Sequence, residues 1–168
     1  MNGAGDTHIG DSRAMPRIAL ISDTHNLLRP EALEWLHGSD AIVHAGDICG
    51  AEVLQTLDAI APTLAVRGNN DIGPWAEALP KRLDCELHGV RLCVVHDIAD
   101  LVAEPPALGT QVVVTGHSHK PHVEMRGSVL YVNPGSAGPR RFKLPVSAAE
   151  LQVREGRVQA RVKMLLEV

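Results

Sequence analysis

Aromatic side chains are almost missing from this chain of 168 residues, which has two Trp, one Tyr and one Phe, 2% in all. Binding along a nucleic-acid strand wants stacked rings over a basic groove. With a formal net charge of -4 as well, an extended nucleic-acid partner is not expected. Cysteine is scarce too: Cys49, Cys85 and Cys93 are odd in number and show no Cys-x-x-Cys spacing. That argues against a disulfide framework or a structural zinc knuckle, and each is read as a small buried apolar residue in a cytoplasmic protein. No apolar run approaches the roughly 18 residues of a membrane span. The N-terminus also lacks the basic-then-apolar pattern of a secretory signal, so no membrane partner is expected.

What is present describes a soluble globular protein, with 45% hydrophobic residues and charge spread along the chain. Its length suits one sizeable core and is short for two ordinary domains. Residues 1–14 are polar and glycine-rich without apolar periodicity, and are read as a flexible leader. Residues 15–168 are then read as one domain, with Met15 an alternative start. A cycle of strand, polar loop and helix runs through 17–22, 30–36, 41–45, 51–60 and 64–66, which predicts parallel strands with crossover helices. The second half changes character. Residues 83–88 and 90–95 flank Gly89 as a hairpin, 99–108 carries a Pro-interrupted short helix, and 112–115 is a buried strand. Short β candidates follow at 122–126, 129–132, 146–153 and 157–165. The expected architecture is α/β, built on two packed sheets.

Polar residues at strand C-terminal ends converge on one edge of such sheets. Here five strand ends carry metal-ligand types: Asp23-Thr-His25, Gly46-Asp47, Gly68-Asn69-Asn70-Asp71, His96, and Gly116-His117-Ser-His119. Each alone is ordinary, since an Asp-x-His is commonly a turn and a lone histidine on an apolar strand commonly a core residue. Their joint recurrence is the signal. Oxygen and imidazole donors without thiolate suit Mn, Fe, Zn, Co or Ni, and suit Mg less well. Two cations about 3.5–4 Å apart can share a carboxylate and a hydroxide, and so generate a nucleophile at neutral pH.

In this ordered set the chain resembles the calcineurin-like metallophosphoesterases, and among them the small YfcE-type phosphodiesterases. The motifs are Asp23-x-His25, Gly46-Asp47-Ile48, Gly68-Asn69-x-Asp71, Val95-His96, Gly116-His117-x-His119 and Asn133-Pro-Gly-Ser136, spanning nearly all of the chain from residue 16. The resemblance implies an α/β/β/α sandwich and a phosphoric ester hydrolase with two divalent metal ions, Mn2+ foremost. It also implies that Asp23, His25 and His119 hold one ion, that Asn69, His96 and His117 hold the other, and that Asp47 bridges them. A hydroxide between the ions would attack phosphorus in line. Two divalent cations outweigh Asp23, Asp47 and a hydroxide in charge, so the pocket is locally cationic although the protein is anionic.

Two positions depart from the family pattern. Asn70 stands where many members have a histidine that would protonate the leaving group, and Asp97-Ile98 follows the ligand His96 where small members often have glycine. Substrate-contact candidates are Asn69, His122 and Arg140, with Arg141 beside the last; a strand-surface histidine and a solvated basic pair are the plain alternatives. Arg67 is expected either to reach phosphate or to pair with Asp71, and His44 to be structural. Catalytic roles fall on Asp47, Asn69 and Asn70. The expected partner is a small phosphate ester, with homo-oligomerisation suggested by the resemblance alone. The competing reading is a non-catalytic interaction scaffold of the same fold, as in the retromer subunit that resembles this family.

Overall fold

The computed structural model describes residues 15–166. Its first sheet is built from β1 (Arg17–Ile21), β2 (Ala41–His44), β3 (Thr63–Ala65), β9 (Ser147–Arg154) and β10 (Arg157–Met164), in the order β10-β9-β1-β2-β3. β1, β2 and β3 run parallel, joined by α1 (Pro30–Leu36) and α2 (Ala51–Asp58). β9 and β10 extend this sheet antiparallel on the far side of β1. The second sheet has the order β4-β5-β6-β8-β7, from β4 (Arg82–Leu87), β5 (Val90–Val95), β6 (Val112–Val114), β7 (His122–Arg126) and β8 (Val129–Asn133). Its inner strands β5, β6 and β8 are parallel, while β4 and β7 pair antiparallel at the edges.

Side chains alternate across a strand with a period of two, and here both faces of the inner strands are buried. Ile18 and Leu20 of β1, Val43 of β2, Leu92 and Val94 of β5 and Val112 and Val114 of β6 meet in a core between the two sheets. The alternate residues Ala19, Ile21 and Ile42 face Leu36 of α1 and Val53 and Leu57 of α2. On the outer face of the second sheet, Cys93, Val95 and Val113 pack with Leu101. The architecture is an α/β/β/α sandwich whose last layer is thin.

The first-half alternation and the hairpin at Gly89 are as expected. Two elements differ. The helix expected over 99–108 is reduced to a 3-10 turn at Ile98–Leu101, since Pro105 and Pro106 leave no amide protons to continue it. A four-residue helix α3 (Pro74–Glu77) was not anticipated; it is too short for apolar periodicity and is marked only by Pro at its first position. The leader reading of residues 1–14 falls outside the described residues. No helix among the described residues is long and apolar enough to cross a membrane.

Candidate metal centre

The parallel strands of both sheets end at one edge, so the loops after β1, β2, β3, β5 and β6 meet there. Many of their residues have left-handed backbone, a conformation uncommon for side chains with a Cβ and concentrated at functional sites. Asp23, His25, Asp47, Cys49, His117 and His119 all have φ between 45° and 69°. At Gly116 the two sheets' loops lie in close contact: a Cβ there would collide with Ser22 Oγ and lie 2.9 Å from Asp23 Oδ2.

Asp23 is fully buried, and its two oxygens differ in role. Oδ2 accepts from Ser22 Oγ at 2.7 Å and from the His117 amide at 3.1 Å. Oδ1 has no hydrogen-bond partner, and lies 3.3 Å from His119 Nε2 and 3.9 Å from both His25 Nε2 and His96 Nε2. Burial alone would raise this carboxyl, but the close His119 ring, the Ser22 hydroxyl bond and the charge of the nearby imidazoles outweigh it and hold the pKa low.

Asp47 faces the same centre. Its Oδ2 is 3.4 Å from His96 Nε2 and 3.8 Å from His25 Nε2. Asn70 grips it twice, with the backbone amide on Oδ1 at 2.9 Å and the side-chain amide on Oδ2 at 2.8 Å. Against the upward push of burial, contacts with His96 and Asn70 hold Asp47 well below the usual carboxylate range. Asn70 therefore orients a central carboxylate, a task not anticipated from its place in the motif.

The imidazoles are oriented from behind. His96 Nδ1 lies 2.7 Å from the Ala45 carbonyl, which can only accept, so Nδ1 is the donor and the Nε2 lone pair points at Asp47 and Asp23. That Nε2 has no hydrogen-bond partner. Burial would depress His96, but the close Asp47 carboxylate, the bond to Ala45 and the charges of Asp23 and Asp47 raise its pKa overall. His25 Nε2 and His119 Nε2 stand 3.4 Å apart, nitrogen toward nitrogen. Burial lowers the His25 pKa despite the opposing charges of Asp47 and Asp23. Among the described residues, His119 Nδ1 is the third buried side-chain nitrogen or oxygen without a hydrogen bond. Asn69 and His117 form the open side, with Asn69 Oδ1 3.2 Å from His117 Nδ1 and the His117 ring 5.2 Å from that of His96.

Asp23, His25 and His119 converge as one possible ion site, and Asp23, Asp47 and His96 as a second that shares Asp23. Convergent unpaired acceptors of this kind fit divalent cations, which would supply the missing partners of Asp23 Oδ1 and His96 Nε2.

Several further groups brace the cluster from behind. The Asp71 carboxylate accepts from four backbone amides: Asp47 at 3.0 Å and Gly68 at 2.7 Å on Oδ2, Ile48 and Cys49 at 2.8 Å on Oδ1. The anticipated pairing with Arg67 is instead from Arg67 Nε to the Asp71 backbone carbonyl, at 3.2 Å. Asn133 donates to the Gly116 carbonyl and to Ser118 Oγ, and Ser136 Oγ to the Asp23 carbonyl, so their turn braces the two histidine loops. His44 is wholly buried and structural, as expected. Its Nδ1 accepts from the Gly46 amide, Nε2 donates to Thr24 Oγ1, and burial pushes its pKa down to about 3.

The reading of the cysteines is modified. Cys93 is buried in apolar surroundings, but Cys49 lies 3.7 Å from His25 Nδ1, and burial together with three nearby carboxylates pushes its pKa up to about 11. His122 is exposed on β7, 3.0 Å from Glu124. Arg140 and Arg141 are both exposed, and the charge of Arg141 reaches His25 and Cys49. Next to the open side lies a cavity of about 220 Å³ lined by Asn69, His96 and His117 together with Arg67, Lys81, Asp97 and Asp100. Larger hollows near Met15, Arg154 and Glu155 touch none of these groups.

Comparison with known proteins agrees with this geometry. Residues 16–156 match the family model of the calcineurin-like phosphoesterase superfamily domain. A probable metallophosphoesterase of Methanocaldococcus jannaschii is 31% identical over 132 residues, 71% of this chain and 67% of that protein. Phosphodiesterase YfcE of Escherichia coli is 32% identical over 111 residues, 58% of this chain and 56% of YfcE. The solved YfcE structure aligns with a TM-score of 0.63 at 28% identity, covering 80% of this chain and 87% of that one. Vacuolar protein sorting 29 of Cryptosporidium parvum aligns with a TM-score of 0.71, covering 90% and 98% of the two chains. At 20% identity it shows the fold alone.

Proposed function

Because this chain belongs to the calcineurin-like phosphoesterase superfamily, we propose that its buried histidine and carboxylate cluster holds two divalent cations, Mn2+ foremost, and hydrolyses phosphodiesters. The observation that carries this reading is the set of partnerless acceptors, Asp23 Oδ1 and His96 Nε2, aimed into one centre from both sheets. Asp23, His25 and His119 would hold one cation, and Asn69, His96 and His117 the other, with Asp47 between them. Bound there, the cations would polarise the phosphoryl oxygens and lower the pKa of water to give a nucleophile for in-line attack.

The protein's own groups do the rest. Asp71 stiffens the turn that carries Asp47, and Asn70 sets the rotation of the Asp47 carboxylate. The cavity beside His117 receives one ester substituent, with Arg67 and Lys81 offering charge to the phosphate. Arg140 and Arg141, after the Asn133 turn, are the further candidates to meet the phosphate, and the charge of Arg141 is felt at His25. Asn70 has no proton to give a departing alkoxide, so weakly basic leaving groups are favoured.

Hydrolysis of bis(4-nitrophenyl) phosphate and of 4-nitrophenyl phosphate, each with Mn2+, tests the assignment. Turnover of the diester above the monoester is expected. No turnover of either, with metal bound, would favour the scaffold reading that the Vps29 likeness in fold leaves open.

A further inference from the structure

His117 is the least sheltered imidazole of the cluster. Its side chain is 47% exposed, on backbone at φ 69°, and it has no backbone carbonyl behind it like the one that fixes His96. Its two nitrogens face different groups. Nδ1 lies 3.2 Å from Asn69 Oδ1, on the side of the cluster, and Nε2 lies 3.7 Å from Asp97 Oδ2. Asp97 is itself anchored, because its Oδ1 accepts the Ala99 amide at 3.0 Å and caps the 3-10 turn. One oxygen holds the turn and the other is presented to His117.

Beside the Asn69 Oδ1, which can only accept, the tautomer of His117 that makes a hydrogen bond in this arrangement carries its proton on Nδ1. Nε2 then carries a lone pair, which cannot bond a carboxylate, and 3.7 Å is the spacing of a contact not yet made. A cation can be held by Nδ1 only when that nitrogen has lost its proton. The neutral ring must then carry the proton on Nε2, where Asp97 accepts it.

We propose that Asp97 is a positioning residue for the second cation: it stabilises the Nε2-protonated tautomer of His117 and so frees Nδ1, beside Asn69, for the metal. The proposal rests on the dinuclear reading above. It makes a residue that departs from the family pattern part of the metal-binding apparatus. Carboxylates behind metal-ligating histidines typically contribute about 10–100-fold in metal affinity.

Asp97→Asn is the informative variant, since its oxygen can keep the Ala99 cap while its NH2 replaces the acceptor facing Nε2. Full-length wild type and variant, stripped by chelation, are titrated calorimetrically with Zn2+ as a diamagnetic probe. The histidines are followed by imidazole nitrogen NMR in parallel. The expected result is two ions in wild type, with the His117 proton moving from Nδ1 to Nε2 as the second binds. In Asp97→Asn the second affinity should fall about 10–100-fold with the first unchanged, and Asp97→Glu should recover part of the loss. Equal affinity of both sites in wild type and Asp97→Asn, or a His117 that keeps its Nδ1 proton in the loaded protein, overturns the role of Asp97 and leaves the dinuclear reading standing. A wild type that takes up one ion overturns both.

Discussion

The residues that decide the site's chemistry are few, and two of them act through others. Asn70 binds both oxygens of Asp47, so its neutral amide orients a proposed ligand where a histidine would also offer a proton. General acid catalysis is typically worth about 10²–10⁴-fold and matters most for strongly basic leaving groups. Asn70→His is therefore expected to raise the rate on alkyl phosphodiesters while changing nitrophenyl diesters little. A leaving-group series on both proteins checks this, and parallel slopes would remove the position from leaving-group protonation. His44 gives a prediction about pH. Its pKa falls from 6.5 to about 3 on burial, so between those values the unfolded chain binds a proton that the folded one refuses. Stability must then fall as pH falls below 6.5, by at most about 1.4 kcal/mol per unit from this one group. Asp23 and Asp47, held low, contribute a constant amount above about pH 5, while His25 and His96 also titrate in this window and are common to both proteins compared. In urea unfolding of the metal-free protein between pH 5 and 8, His44→Gln should show a shallower decline than wild type. Equal declines would mean that His44 becomes protonated within the fold.

At the scale of elements, the strand-loop-helix cycle was readable because both faces of the inner strands are apolar and the loops are abruptly polar. The seven ligand candidates were legible for the same reason, each standing just past a buried run. The braces were not. Asp71 looks like one more loop acid, and only the folded turn brings its carboxylate to the amide of Gly68 in its own loop and to those of Asp47, Ile48 and Cys49 in the loop after β2. Asp71→Ala would strand four buried or half-buried donors at roughly 1–3 kcal/mol each if none relaxed. A loss of at least about 3 kcal/mol is expected, read as a lowered urea midpoint with unchanged slope. The loop of Gly116 tests the joint between the sheets. Its backbone is not left-handed, so Gly116→Ala adds only a methyl, aimed at Ser22 and Asp23. Overpacking of this kind costs about 1–3 kcal/mol. Because the atom displaced is a proposed ligand's carboxylate, metal affinity should drop along with stability. Stability lost with metal affinity intact would show that the crowding is relieved away from Asp23.

For the molecule as a whole, the unpaired acceptors of Asp23 and His96 make the metal-free fold electrostatically incomplete. Ions that bind only the folded state stabilise it by about 2.7 kcal/mol at a hundred times the dissociation constant. For a protein of this size that is a rise in Tm of roughly 5–11 °C. The catalytic and scaffold readings share that expectation and diverge on turnover. The most direct test is to strip the protein with chelator, then titrate Mn2+ while following bound ions per chain and hydrolysis of bis(4-nitrophenyl) phosphate together. The account predicts no turnover at zero metal, full turnover at two ions per chain, and loss of both ions and activity in Asp47→Asn. Hydrolysis that survives chelation, or Asp47→Asn holding two ions with near-normal turnover, would contradict it.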